Sequence, residues 1–319
     1  MFSRALTTNA TSRVLAHPNN ASPILSLNTP LTRGSILRLK DTLDKAYKEQ
    51  PIIQVDARER HAAVLISLCN VEDKPGILLE VRGQLRTHAG ETDQSFLAAA
   101  LRETHEEVGI PPKQIEILGQ VGPAELSLGG LRVWPYVGFI YPSAEARAVA
   151  TSVDADPDAP LPSLPMSSLK ISHPEVAHAF HLPFSSMISP TRLCTHLFRG
   201  GAPYWAITVS DLVSEKNVDW ANDPKSTDEV GGGRGGRLEV WGLTGWYLSL
   251  FMKWVLSVVS TPVHPASCLT PPSHLVSHAH IVLRLQGPVS TLLLDRDHLQ
   301  PSFLIDDAMS NTVINKTYP

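Results

Sequence analysis

The stretch from Ser95 to Pro112 leaves its own backbone little choice. Ser95 is a helix-capping residue type, a run of helix formers follows through Leu97, Ala98, Ala99, Ala100 and Leu101 to about Val108, and Gly109 followed by Pro111-Pro112 forbids continuation. Inside the predicted helix, Glu103, Glu106 and Glu107 stand at positions i, i+3 and i+4. Those positions share a helical face, so the spacing predicts three carboxylates converging within a few ångströms. Like charges so placed weaken a helix, and hard divalent cations such as Mg2+ or Mn2+ bound to their oxygens would reverse that cost. Arg102 lies next to the cluster, where it can orient one carboxylate. The competing reading is a solvated acidic face, and His105 reads as a helix-surface histidine.

Around this helix the chain alternates short apolar runs with turns. Residues 63–68 and 77–81 read as two strands of a hairpin, joined by Glu72-Asp73-Lys74-Pro75-Gly76. Further strands are expected at 115–121, 131–141, 206–209 and 238–240. Strands surrounding one central helix, without regular strand–helix alternation, predict an α+β sandwich and not a doubly wound sheet. Residues 243–259 are just long and apolar enough to raise the question of a membrane span. Lys253 inside them, with Gly245 and Ser249, favours a packed terminal helix and no integral membrane span.

Composition narrows the function classes. With 43% hydrophobic residues in 319, there is mass for a real core. The 27 basic against 31 acidic side chains argue against a nucleic-acid scaffold held by bulk positive charge. Cys69, Cys194 and Cys268 share no metal-ligand spacing, which disfavours a structural zinc site or a disulfide framework.

The ends and one internal stretch read differently from the middle. Residues 1–40 contain no Asp or Glu but carry Arg4, Arg13, Arg33, Arg38 and Lys40 among hydroxyl and small residues. That is the pattern of a disordered leader serving as a mitochondrial transit peptide. No apolar run follows Arg4 as in a secretory signal, and the closing Asn-Lys-Thr-Tyr-Pro is not a peroxisomal address. Residues 144–168, with Asp154, Asp156, Asp158 and four prolines, read as an irregular surface insertion. Residues 259–319, rich in Pro and His, read as a low-order tail. The ordered domain is therefore expected over 57–258.

Arg102-Glu103-Thr104-His105-Glu106-Glu107-Val108-Gly109-Ile110 resembles the second half of the Nudix box, Gly-x5-Glu-x7-Arg-Glu-U-x-Glu-Glu-x-Gly-U, with Thr104 standing at a position that takes a bulky aliphatic. Leu85-Arg86-Thr87-His88-Ala89-Gly90 resembles the run ahead of the box in the coenzyme A diphosphatase branch. So do Pro174-Glu175-Val176-Ala177 through His181-Leu182-Pro183-Phe184, Phe198 through Trp205, and Val240-Trp241-Gly242-Leu243-Thr244, for later segments of that branch.

The resemblance implies the Nudix fold, a mixed β-sheet between helices in an α/β/α sandwich. It also implies hydrolysis of coenzyme A or acyl-CoA at the pyrophosphate, giving 3′,5′-ADP and free or acylated 4′-phosphopantetheine. Mg2+ or Mn2+ held by Glu103, Glu106 and Glu107 would neutralise phosphate charge and lower the pKa of the attacking water. Glu103, Glu106 and Arg102 are the implied catalytic residues, with Glu103 as candidate base, and Arg86 and His88 the implied substrate contacts. Other nucleoside diphosphate substrates, NADH or ADP-ribose, are the alternative. Family members occur in mitochondria and peroxisomes, and a cytoplasmic location is the remaining option.

The first half of the box departs from the pattern. Counting back from Arg102, His88 stands where the box has Gly and Gln94 where it has Glu. The Phe-Pro-Gly-Gly-type segment expected before the helix is missing, which suggests an internal deletion of about one strand and its turn. Glycines there would let the backbone approach a metal–phosphate site, so a catalytically impaired nucleotide-binding product is a third reading. Gly231 to Gly236 read as a flexible loop, and Glu229 and Glu239 remain open as a fourth carboxylate.

Overall fold

Period-two burial in the strands and period-3.6 burial in the helices divide the apolar residues between two faces of one sheet. The computed structural model describes residues 24–48, 59–82, 95–127, 130–173, 175–198, 201–213, 238–256 and 279–280. They belong to the unit Met1–Pro288. Strands β1 (Arg60–Val71) and β2 (Lys74–Arg82) form the expected hairpin. Its turn is tighter than the sequence suggested: Glu72 and Asp73 alone make it, both at positive φ, and Lys74-Pro75-Gly76 already belong to β2.

Helix α2 (Phe96–Val108) is followed by β3 (Ile115–Gln120), β4 (Glu125–Leu126) and β5 (Leu131–Ile140). Strand β5 runs parallel to β1, and β3 and β4 pair antiparallel with β5. Strand β6 (Val176–Pro183), which leads into the single turn α4 (Phe184–Met187), pairs antiparallel with β2 from Gly76↔Pro183 to Arg82↔Val176. A second wing follows, with β7 (Leu193–Phe198), β8 (Ala202–Thr208), β9 (Glu239–Val240) and β10 (Ala279–His280), the last pairing with β2. The order is β3-β5-β1-β2-β10-β9-β8-β7, with β4 added on β5 and β6 on β2.

Helix α2 covers one face, where Ala99 apart its buried Ala100 and Val108 join Ala63, Leu65, Leu78 and Ala179. Helix α1 (Arg33–Lys48) and helix α5 (Gly242–Val255) cover the other, burying Ile36, Leu39 and Leu43 with Tyr247, Leu248 and Phe251. The mixed sheet between helices is the predicted α+β sandwich. Residues 242–255 pack as a helix against the sheet, with β10 following, and no described helix is long and apolar enough to cross a membrane.

Two sequence expectations need correction. The disordered leader does not extend to Lys40: residues 24–40 are ordered, and Leu25, Leu31, Ile36 and Leu39 are buried. Residues 1–23 lie outside the described residues. The apolar spacing Ile36, Leu39, Leu43 is helical, and Thr32 Oγ1 accepts the Ser35 N–H at the helix start. Arg33 ties this helix to the sheet, donating to both oxygens of Glu116 at 2.8 and 2.6 Å while the Tyr141 hydroxyl donates to the same carboxylate at 2.8 Å. Burial, reinforced by Glu116, pushes the Tyr141 pKa up.

The insertion 144–168 is not uniformly irregular either. It opens with α3 (Ala144–Ala150), closes with a 3-10 turn at Met166–Ser168, and buries Leu161 and Leu164. In the expected tail, β10 is described and pairs with β2 and β9, while the rest of 259–319 lies outside the described residues.

Asn70, fully buried at the end of β1, joins these two segments. Its Oδ1 accepts the Leu31 N–H at 2.8 Å, and its Nδ2 donates to the carbonyls of Leu31 and Leu161 at 3.1 and 2.9 Å. Replacement Asn70→Ala strands the Leu31 N–H and the Leu161 carbonyl, with an expected loss of about 2–4 kcal/mol in urea unfolding. A loss under about 0.5 kcal/mol, the level of an ordinary surface change, would contradict this role.

On β6, His181 lies across Gly76, where any Cβ would stand 2.3 Å from its Nε2. Burial pushes the His181 pKa down from 6.5 to about 4, and Lys74 adds to this against an opposing hydrogen bond to the Cys69 backbone. The unfolded chain therefore takes up this proton near pH 6.5 while the native one resists it until about pH 4. Stability is complete above that window and falls as pH drops through it. Burial shifts His61 and His178 the same way. Thermal unfolding between pH 7.5 and 4.5 should show a shallower decline for His181→Gln than for the parent; identical slopes would count against this assignment.

Candidate active site

Helix α2 forms where the sequence places it. Ser95 caps it, its side chain accepting the Ala98 N–H at 3.0 Å, and Gly109 ends it at φ 76° with its N–H on the His105 carbonyl. The left-handed conformation suits glycine, and a Cβ on Gly109 would stand 2.7 Å from Lys170 Cβ. Thr104, the residue out of pattern, is fully buried and satisfies its hydroxyl on the Ala100 carbonyl at 2.8 Å. A small β-branched side chain thus fills the apolar position without an orphaned polar group. His105 is exposed, as expected.

The three glutamates do not occupy equivalent environments. Glu107 is buried at 6% exposure, the Glu103 side chain is 16% exposed and that of Glu106 47%. Arg102 bridges two of them, donating to Glu106 at 2.6 Å and Glu103 at 3.2 Å. Among the described residues, no group of three or more His, Cys, Asp or Glu side chains is drawn together as a closed metal cluster. Glu106 and Glu107 are adjacent in sequence and about 100° apart around the axis, so one turns to solvent and the other to the sheet, with Glu103 between them. The carboxylate oxygens of Glu103, Glu106 and Glu107 are the right donor type for a hard divalent cation.

Arg86, His88 and Gln94 lie outside the described residues, as do Glu229, Gly231 to Gly236 and Cys268. Glu239 is buried on β9, with its Oε2 3.7 Å from His196 Nε2. Sequence reading passed over Glu80, which is 1% exposed on β2. It pairs in register with Ala179, which places it on the face that α2 covers. A single acid in Ile-Leu-Leu-Glu-Val was the signal, since charges are rarely buried in a central strand.

The NUDIX domain model matches residues 59–146, the span from β1 through α2 and β5 into α3. The uncharacterized Nudix hydrolase NudL of Enterobacter sp. (strain 638) is 40% identical over 137 residues, covering 39% of this chain and 70% of that protein. The chain belongs to the Nudix hydrolase family. NudL of Salmonella newport is 38% identical over 148 residues, covering 43% of this chain and 70% of the relative. The crystal structure of a C. elegans Ap4A hydrolase binary complex aligns with 37% of this chain and 76% of its own, at 19% identity and a TM-score of 0.25. As a Nudix hydrolase the chain is a pyrophosphohydrolase for nucleoside diphosphate derivatives. The family generally uses divalent metal ions.

Because Gly109 both adopts positive φ and touches Lys170, Gly109→Ala should destabilise the protein by at least about 1–2 kcal/mol in denaturant unfolding. An unchanged midpoint would show that the chain relaxes there without cost.

Proposed function

We propose that this Nudix hydrolase cleaves the pyrophosphate of coenzyme A or acyl-CoA, releasing 3′,5′-ADP and 4′-phosphopantetheine or its acyl derivative, with Mg2+ or Mn2+ as the required ion. The observation that carries the reading is Arg102, Glu103, Glu106 and Glu107 together on the last two turns of α2. The coenzyme A branch is favoured by its resembling segments, which fall on β6, on the β7–β8 hairpin and at the entry to α5. The acid-poor leader is the ground for a mitochondrial address.

The chain's own groups account for proton and charge handling. Water attacks one phosphorus of the diphosphate and the bridging P–O bond breaks. Glu103 takes the proton that the water loses, while Arg102, already against that carboxylate, holds it in orientation. The second phosphate leaves with the bridging electron pair. Glu107, fixed by burial, sets the register of the acidic face. The departures at His88 and Gln94 favour a second reading, nucleotide binding with little turnover.

Release of 3′,5′-ADP from coenzyme A in Mg2+ or Mn2+, and its loss on chelation, tests the reading. Glu103→Gln, Glu106→Gln and Glu107→Gln should each lower kcat by about 100-fold or more. Equal turnover by all four proteins would sink the assignment. Faster hydrolysis of NADH or ADP-ribose would move the substrate elsewhere in the family, and nucleotide binding without product would favour the second reading.

A further inference from the structure

The chain that follows α3 returns to the acidic helix at its C-terminal end. The Glu107 carbonyl accepts the Ser172 N–H at 2.9 Å, and the Val108 carbonyl accepts the Lys170 N–H at 3.0 Å. These are two of the carbonyls that a helix end leaves without an internal partner. Lys170 also packs against Gly109. Leu164, Met166, Leu169 and Ile171 sit with Val108 and Ile110 in the cluster under α2.

Both ends of this segment are fastened to the sheet. At one end the Leu164 N–H donates to the Asn70 carbonyl at 2.7 Å, and Asn70 Nδ2 donates to Leu161. At the other, the Ser172 carbonyl accepts the N–H groups of Glu175 and Val176 at 2.9 and 3.0 Å, where β6 begins. The segment therefore runs from the end of β1 to the start of β6 with α2 clamped between. It lies beyond the 59–146 span that matches the family model.

We infer that residues 161–173 are a strap that positions the α2 carboxylates for hydrolysis, with the backbone amides of Lys170 and Ser172 as its positioning groups. Two donors on successive carbonyls fix both the rotation and the axial placement of the last turn. Glu107 carries one capped carbonyl and one acid of the site, so slippage of the cap moves that carboxylate directly. A displacement near 1 Å at a reacting centre costs up to about 100-fold in rate. The strap's role in catalysis rests on α2 being the catalytic helix; its grip on the helix does not.

The experiment separates the two. Ser172→Pro removes the donor, Ser172→Ala keeps it, and an amide-to-ester exchange at Ser172 removes it with the side chain intact. Hydrogen exchange at the amides of Glu106, Glu107 and Val108 should quicken by about 10-fold in the proline and ester forms and stay at the parent rate in Ser172→Ala. Turnover of coenzyme A should fall by about 10-fold or more in kcat with KM held within about twofold, again sparing Ser172→Ala. If Ser172→Pro does not fold, the ester form decides. A folded ester form with parent-like exchange overturns the strap. Quickened exchange with unchanged kcat overturns its catalytic role. A parent protein that turns over no nucleoside diphosphate defeats the hydrolase reading, and with it the catalytic role, while the exchange data still judge the grip.

Discussion

A helix that carries three carboxylates in five residues cannot be held by its own propensity. Its acids repel, and thirteen residues are marginal for an isolated helix in water. What holds α2 is burial of Ala100 and Val108 on the β1–β2–β6 face, together with caps supplied at both ends. Ser95 serves the first end from within the helix's own sequence. The second end is served from more than sixty residues away, by Lys170 and Ser172. The chemistry of the site thus depends on how the sheet, the insertion and β6 close around one short helix.

That division explains what could be read in advance. Helix α2, the hairpin and α5 were legible because their signals are local: a cap residue, a glycine stop, apolar runs bounded by turns. Helix α1 was masked by the acid-poor composition of the first 40 residues, although Ile36, Leu39 and Leu43 already carried its period. Strands β6 and β7 escaped for a different reason. Each interrupts its apolar positions with histidine, and β6 takes its burial from β2, a partner distant in sequence.

The candidate site was legible as a set of residues, while the surroundings of each acid were not. Spacing of i, i+3 and i+4 establishes a shared side of the helix, but it leaves the outer two glutamates about 100° apart. Whether they converge depends on what the helix rests against, which is a tertiary fact. Here the sheet takes Glu107, and Arg102 takes Glu106. The same limit applies to the insertion. Its prolines and aspartates truthfully mark an exposed excursion around 151–160, yet Leu161 and Leu164 turn inward and lead to the helix cap.

The three acids also differ in how far they can adjust. An ion pair such as Arg102–Glu106, with the acid half exposed and four residues along the helix, contributes about 0.3–0.5 kcal/mol. Glu106 can therefore exchange that partner for a substrate-borne one at little cost. Glu107 has no such latitude: its side chain is enclosed, and its carbonyl is tied to Ser172, so it moves only with the helix end. Glu103 lies between them in both exposure and angle. In the proposed site, with one fixed acid, one intermediate and one adjustable, the fixed member sets the geometry, which makes the backbone around Glu107 its reference frame.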